Sequence, residues 1–184
     1  MPRLVNGKRK ITNPKPENAG KLLIFCEGHT EYNYLDYFRN YIENNLHAQY
    51  SDIVIEPINV EGNAMHVYHC AEEFLAKEEN ASKYQYYEKH LVFDCDAPEN
   101  IQEVIALMRR SENDYILDYS NLLFETWLVM HFQNLDPDYS NDKRTIIALM
   151  TTYLGIPRYT KKVKAAKGTI GKILGSNGNE RIRA

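Results

Sequence analysis

Acidic residues follow two short apolar runs of this chain, a pattern typical of a site that binds a cation. Glu27 directly follows one run, at residues 22–26, and Asp94 and Asp96 end the other. The aspartates are one residue apart, so an extended backbone places both side chains on the same side. If both runs are parallel strands, the carboxylates meet at one edge of the sheet, where ligands of open α/β sheets bind.

Carboxylates gathered at one edge repel one another unless a cation lies between them. A hard divalent ion is the usual solution, because Mg²⁺ takes one or two protein carboxylates together with water and substrate phosphate. Mn²⁺ suits the same ligands. Glu27, Asp94 and Asp96 are therefore predicted metal ligands, with Mg²⁺ or Mn²⁺ as the cofactor. A turn followed by a helix cap would also explain the two aspartates taken alone.

Four other side chains are candidates for a part in catalysis. Glu31 follows the first acid within one helical turn, although the helix dipole alone would favour an acid there. Glu125 lies early in an apolar segment and has the same two interpretations. His131 lies on the apolar face of that segment, where a histidine held in the protein core is the alternative to a catalytic one. His29 could relay protons beside Glu27, or it could be an idle loop residue.

The end of the chain is basic, although the net charge of the whole chain is −3. The candidates for phosphate binding are Lys161, Lys162, Lys164 and Lys167. A local patch of this kind can attract a polyanion without a global positive field, although a lysine run can equally be a solvated surface. Residues 1–20 are predicted to form a basic arm, either a flexible tail or a segment that contacts a nucleic-acid backbone.

Apolar runs alternate with helical periodicity, which predicts an α/β fold. Strands are predicted at residues 22–26, 53–60, 90–94 and 115–119, and helical faces at 34–46, 67–75, 101–108 and 122–132. This order is typical of a mostly parallel four-stranded sheet with helices on both faces. Pro57 predicts an edge position for the second strand. The first helix has one apolar face, formed by Tyr34, Leu35, Phe38, Tyr41, Ile42 and Leu46.

Several local predictions concern caps and the end of the chain. Thr30 is expected to cap the first helix, and Ser120 and Asn121 to cap the fourth. A further helix is predicted at 145–154. The residues from 155 onward show no large apolar face, which indicates a lid, a nucleic-acid-facing extension or a partner-binding tail.

Length and composition limit the class of protein. The chain has 184 residues, which suits one domain with a proper core. We predict an arm at 1–20, an α/β domain at 21–134 and a helical, basic extension at 135–184. No apolar run approaches the roughly 20 residues of a membrane span, and the basic start lacks the apolar region of a secretory signal. The 3 cysteines form no CxxC pair for zinc. They are an odd and scattered set, which fits a reducing cytoplasm.

Three sequence blocks resemble a known family. They are CEGHTEYNY at 26–34, VFDCD at 92–96 and SNLLFETWLVMHF at 120–132. The first two resemble the Toprim fold of topoisomerases, primases and OLD-type nucleases, and all three together resemble the RloB-like family. The resemblance implies that Glu27 is a metal ligand or general acid/base and that Asp94 and Asp96 hold the divalent ion. Cys95 departs from the family pattern, which usually has an arginine there, so any phosphate contact by that arginine is in doubt.

The resemblance also implies a function. It suggests a metal-dependent nuclease that hydrolyses phosphodiester bonds of DNA or RNA, including tRNA, in prokaryotic phage defence with an AAA/ABC-type ATPase partner. The alternative is a non-catalytic regulatory or structural subunit of a defence complex with the same fold. The oligomeric state is left open by the sequence, and a homodimer is one alternative. A flavodoxin-like nucleotide-binding domain fits less well, because glutamates would face the phosphate after the first strand.

Overall fold

The computed structural model describes residues 20–48, 50–95, 98–135 and 142–175. The strands are β1 (Lys21–Cys26), β2 (Val54–Asn59), β3 (Glu88–Cys95) and β4 (Tyr115–Asn121). The helices are α1 (His29–Tyr41), α2 (Ala64–Leu75), α3 (Glu78–Lys83), α4 (Pro98–Met108), α5 (Glu125–Met130), α6 (Lys143–Leu154), α7 (Lys161–Ala165) and α8 (Lys167–Ile173). A π-helical turn, Ile42–Leu46, extends α1. Asp96 and the predicted arm up to residue 19 lie outside the described residues.

The described strands form one parallel sheet in the order β2-β1-β3-β4. The predicted α/β class, with a four-stranded sheet flanked by helices, is confirmed. β2 is an edge strand, as Pro57 predicts. β1 and β3 are neighbours at the centre of the sheet, so their carboxyl ends lie side by side. No helix among the described residues is long and apolar enough to span a bilayer.

One face of the sheet packs against α2 and α4 in a first apolar core. Leu23 and Phe25 of β1 lie in this core beside Leu91 and Phe93 of β3. All four side chains are buried. Successive residues of a strand point to opposite faces, so Ile24 and Cys26 point to the other face, on the side of α1.

A second apolar core includes the last helices of the described chain. Its buried members are Leu128, Val129, Ile146, Met150, Tyr159, Ile170, Ile173 and Leu174. The expectation that the residues from 155 onward lack a large apolar face is wrong. Their apolar side chains are spread over short helices and form a common surface only once the chain has folded back. The division at residues 134 and 135 stays a prediction, and this core contains residues from both sides of it.

The buried face of α1 is polar. Thr30, Glu31, Asn33 and Asp36 are its buried residues. Of the predicted apolar stripe, Tyr34 and Phe38 lie partly buried against the second core. The cap expected at Thr30 is also wrong. The helix begins at His29 after an extended residue 28, with no side-chain cap, and the Thr30 side chain points into the interior instead.

The segment after β4 differs from its prediction as well. Ser120 and Asn121 pair with the end of β3 and belong to the strand, so they cap no helix. The backbone then turns at Leu122, whose φ is 67°, an uncommon left-handed conformation for leucine. The helix predicted at 122–132 is therefore confined to α5.

Candidate functional site

Glu27 and Asp94 are joined at the carboxyl ends of β1 and β3. The Glu27 amide donates to the Val92 carbonyl at 2.9 Å, which continues the pairing of the two strands by one residue. The Glu27 carboxylate in turn accepts a hydrogen bond from the Asp94 amide at 3.0 Å. Asp94 is the penultimate residue of β3, inside the strand and not beyond it. The sequence prediction that these two acids meet at one edge of the sheet agrees with this geometry.

Glu31 joins them from the first turn of α1. A β-carbon placed on Gly28 would lie only 3.2 Å from the Glu31 carboxylate, so this carboxylate lies directly over the glycine. Only 5% of Glu31 is exposed. An alanine at position 28 would require the Glu31 carboxylate to shift by a few tenths of an ångström.

Glu125, at the start of α5, is the most deeply buried acid of the group, with 1% of its side chain exposed. Its carboxylate accepts a hydrogen bond from the Thr30 hydroxyl at 3.3 Å. It also forms an ion pair with the Lys164 ammonium at 2.6 Å. The backbone carbonyl of Lys164 accepts from the Asn33 side chain at 3.0 Å. Polar groups of α1 therefore connect α5 with α7.

The pKa of Asp94 is raised from 3.8 to about 8. Burial is the largest cause, and the charges of Glu31, Glu125 and Glu27 add to it. One carboxylate oxygen of Asp94 is buried with no hydrogen-bond partner among the described residues. Burial and the charges of Glu125 and Glu27 also raise the pKa of Glu31, to about 7, although Lys164 opposes the shift.

These shifts mean that the site carries more negative charge than its surroundings neutralise. Without a cation, Asp94 holds a proton at neutral pH, and its unpartnered oxygen has nothing to bind. A hard divalent ion would satisfy both needs, so the residues present fit the Mg²⁺ or Mn²⁺ that the sequence predicts. Within the described ranges no group of three or more His, Cys, Asp or Glu side chains is arranged to hold a metal by itself. An ion here would complete its shell with water or substrate; Asp96, the third predicted ligand, lies outside the described residues.

The acids line an open cavity of about 500 Å³. Glu27, Glu31 and Asp94 form its acidic wall, and Lys161 lies at its basic side. His29 is also part of the lining, where its Nε2 lies 3.1 Å from the Glu61 carboxylate. The cavity is therefore wide enough for a phosphate group and carries the opposite charges that a metal and a phosphate require.

A family model for RloB-like proteins matches residues 22–173. This chain belongs to the RloB-like family. No curated protein matches the chain, and no solved structure does. The matched range includes β1, β3 and α5, which hold the acids, and also α7, which brings Lys164 to them. The whole site of this RloB-like chain is thus within the family match.

The four candidate lysines of the RloB-like chain occupy different environments. Lys164 is bound to Glu125, and Lys167 lies 3.2 Å from Asp36 on α1. Lys161 lines the cavity, and Lys162 is exposed on the same helix. The structure thus leaves Lys161 and Lys162 available for an outside phosphate, whereas the other two neutralise acids of the protein.

His131 lies apart from the carboxylates. Its Nε2 is 3.2 Å from the Tyr34 hydroxyl, and its ring meets the Trp127 ring edge to face at 5.6 Å. Burial lowers its pKa. The structure therefore brings Glu31 and Glu125 to Glu27 and Asp94, but it places His131 among aromatic side chains outside the lining of the acidic cavity.

The sequence analysis missed the residues that position Glu125. Lys164 is far from Glu125 in the chain, and no local pattern predicts their ion pair. A signal does exist on α1, where Thr30, Asn33 and Asp36 recur at a spacing of three residues. Such a polar stripe on a helix that packs inside the protein indicates a polar partner.

Proposed function

We propose that this RloB-like chain is a divalent-metal-dependent nuclease of the Toprim type, which hydrolyses phosphodiester bonds of DNA or RNA. The observation that carries the proposal is the excess negative charge at the carboxyl ends of β1 and β3. Burial and like charge raise the pKa of Asp94 to about 8. A protein keeps carboxylates in such a place at a cost in stability, and a bound cation is the physical reason to do so.

Glu27, Asp94 and Asp96 would hold the ion. When bound, Mg²⁺ or Mn²⁺ polarises a phosphoryl oxygen and lowers the pKa of a bound water. The Glu27 carboxylate is fixed by the Asp94 amide, which orients it towards the cavity. Glu31 lines the same cavity as Glu27 and Asp94, so its carboxylate would accept and return the proton of a water or substrate held there. Lys161 would bind a phosphate oxygen at the rim.

Membership of the RloB-like family supports a more specific proposal. We assign the nuclease to prokaryotic phage defence, with an AAA/ABC-type ATPase as its partner and tRNA among its candidate substrates. These assignments rest on the family resemblance of the sequence blocks. The local basic rim around Lys161 is compatible with either type of nucleic acid.

The deciding experiment is a cleavage assay of the purified chain. Plasmid, single-stranded DNA, total RNA and tRNA are incubated with Mg²⁺, Mn²⁺ or EDTA. Asp94→Asn is the test variant, because it keeps the size of the side chain and removes the charge. Asp114→Asn is the matched control, since Asp114 is exposed just before β4 begins, at the opposite end of the strands.

We expect metal-dependent cleavage by the natural chain and by Asp114→Asn, and a loss of at least about 100-fold in Asp94→Asn. Circular dichroism and thermal unfolding would check that Asp94→Asn remains folded. Equal activity of Asp94→Asn and the natural chain would overturn the proposal. So would cleavage that continues in EDTA.

A second function, a non-catalytic regulatory or structural subunit, is favoured by one contact. Lys164 already neutralises Glu125 at 2.6 Å, as a structural ion pair would. In that case the isolated chain and its complex with a copurified ATPase would both leave every substrate intact. The same assay, repeated with the complex, separates the two functions.

A further inference from the structure

A second cavity, of about 620 Å³, lies between the end of β4 and α5. Large side chains with exposed surface line it, namely Trp127 at 48% and Met130 at 48%. Asp118 and Asn121 add polar groups to the same lining. An apolar floor with a few polar groups at its edge is typical of a site for a small planar ligand.

This cavity shares a wall with the carboxylate site. Ser120 lines it and is the strand partner of Asp94 in the β3–β4 pairing. Phe124 lines it as well, and the Phe124 amide is hydrogen-bonded to Asp94. A ligand in the cavity and a phosphate at the carboxylates would therefore lie at the ends of neighbouring strands, β4 and β3. This placement suits two parts of one nucleotide.

The Trp127 ring is held in place although about half of it is exposed. Its indole N–H donates to the Tyr34 hydroxyl at 2.8 Å, and that hydroxyl contacts His131 Nε2 at 3.2 Å. The His131 ring supports the indole from the side at an interplanar angle of 79°. A ring whose polar atom is already satisfied offers an apolar face with little freedom left to lose on binding.

We propose that this cavity binds an unpaired nucleobase of the nucleic acid whose phosphate lies at the carboxylates. The proposal deepens the proposed function and rests on nucleic acid being the ligand. Bases stack on aromatic rings whatever their sequence, and Trp127 supplies such a ring. The Tyr119 side chain belongs to the other face of the sheet, because Tyr119 pairs with Phe93 of the first core. Asp118 is the acidic residue of the described lining, which contains no lysine or arginine, so the cavity offers an acceptor to the amino group of a base and no cation to a phosphate.

The Asp118 side chain is held in place by a neighbour. Its carboxylate lies 2.6 Å from Nδ1 of His90, and half of its side chain, 51%, remains exposed. A carboxylate in this position favours adenine, cytosine and guanine, which carry exocyclic amino groups, over uracil and thymine. The bases of a duplex are already stacked and paired, so the ligand must be single-stranded or carry a base turned out of its helix.

The sequence supplies its own probe, because the chain contains 1 tryptophan. Fluorescence of Trp127 in the Asp94→Asn variant, in EDTA, is followed during titration with short single-stranded DNA or RNA. The comparison ligand is an abasic oligonucleotide of the same length and charge. We expect saturable quenching by the oligonucleotides that carry bases and none by the abasic one. Equal quenching by both would overturn the proposal.

Variants test the same site through the affinity for a labelled oligonucleotide. Trp127→Ala should bind roughly 5- to 100-fold more weakly, and Trp127→Phe, which keeps an aromatic face, should recover most of that loss. Tyr86→Ala is the matched control, because Tyr86 is an aromatic residue with 61% exposure outside this cavity. Unchanged affinity of Trp127→Ala would overturn the proposal.

Two further outcomes separate the alternatives. If Trp127→Ala converts a dimer into a monomer and keeps its oligonucleotide affinity, a second copy of the chain occupies the cavity and the proposal fails. Base-dependent quenching by a chain that cleaves no substrate, alone or in complex with its copurified ATPase, would sustain the base site and reject the nuclease. Metal-dependent cleavage by the natural chain, together with unchanged oligonucleotide affinity of Trp127→Ala, would support the nuclease and reject the base site.

Discussion

Asp94 is the residue in which burial and like charge act together most strongly. Its pKa of about 8 in the folded chain lies above its ordinary value of 3.8. Between these two pH values the folded chain keeps a proton that the unfolded chain releases, so the folded state binds more protons. The free energy of unfolding therefore decreases as the pH rises from about 4 to 8.

We predict that Asp94→Asn removes part of this decrease. In EDTA, its free energy of unfolding should fall less steeply with pH than that of the natural chain, by on the order of 1 kcal/mol per pH unit. Urea unfolding at several pH values measures the slopes. Asp114→Asn should keep the natural slope, and an unchanged slope in Asp94→Asn would contradict the charge cluster described above.

A bound divalent ion should restore the free energy of unfolding that the chain loses as the pH rises to 8. At a concentration about 100 times its dissociation constant, Mg²⁺ or Mn²⁺ should stabilise the natural chain by about 2.7 kcal/mol. The ion should have little effect on Asp94→Asn. This measurement needs no substrate, so it tests the metal site separately from nuclease activity. A stabilisation equal in the two proteins would show that the ion binds elsewhere.

Lys164 supplies positive charge to the acidic cluster, since its ammonium pairs with the Glu125 carboxylate, which has 1% exposure. We predict that Lys164→Met lowers the free energy of unfolding by on the order of 3 kcal/mol, since Glu125 is left buried without its ion pair. The double variant Lys164→Met/Glu125→Gln should regain most of the loss. Urea unfolding of the single and double variants measures the coupling, and additive losses would contradict it.

Elements with a simple pattern were predictable from the sequence. β1 and β3 are continuous apolar runs, and Pro57 indicated an edge strand, so the strands and the edge position of β2 followed. The meeting of Glu27 and Asp94 followed as well, because parallel strands end at one edge. These inferences depend on short stretches of chain and on a rule about sheets, and neither requires knowledge of distant contacts.

Elements that depend on distant partners were not predictable. Glu125 resembled a helix-dipole acid, and only the ion pair with Lys164 shows that it belongs to the acidic cluster. Thr30 resembled a helix cap for a similar reason, since its bond to Glu125 joins residues far apart in the chain. The last helices seemed solvated because the surface that Ile170 and Ile173 cover is formed by other elements.

The second core gives a prediction for α8. Ile173 is fully buried, so Ile173→Ala should lower the free energy of unfolding by about 2–5 kcal/mol. Gly171→Ala is the control in the same helix, because an added methyl group would meet no atom within 4 Å. It should be neutral or stabilising by about 0.5–1 kcal/mol. Chemical denaturation measures both, and a tail exposed to solvent would show no loss in Ile173→Ala.

At the scale of the whole molecule, the charges of the chain oppose its proposed ligand. A net charge of −3 gives no general attraction to a polyanion, and the acidic cluster adds local repulsion. Binding must then depend on a few cations close to the site. Lys164 and Lys167 are engaged with Glu125 and Asp36, which leaves Lys161 and Lys162 on α7, of the four candidate lysines, to face a phosphate.

We therefore predict that these two lysines account for much of the salt dependence of binding. For single strands, the logarithm of the affinity falls with the logarithm of salt concentration by about 0.7 per phosphate contact. Lys161→Gln/Lys162→Gln should reduce this slope by about 1.4. Lys21→Gln/Lys77→Gln changes the net charge equally but acts on exposed lysines away from the cavity, so its slope should stay natural. Equal slopes in the two double variants would mean that the overall charge of the molecule governs binding, and that α7 makes no phosphate contact.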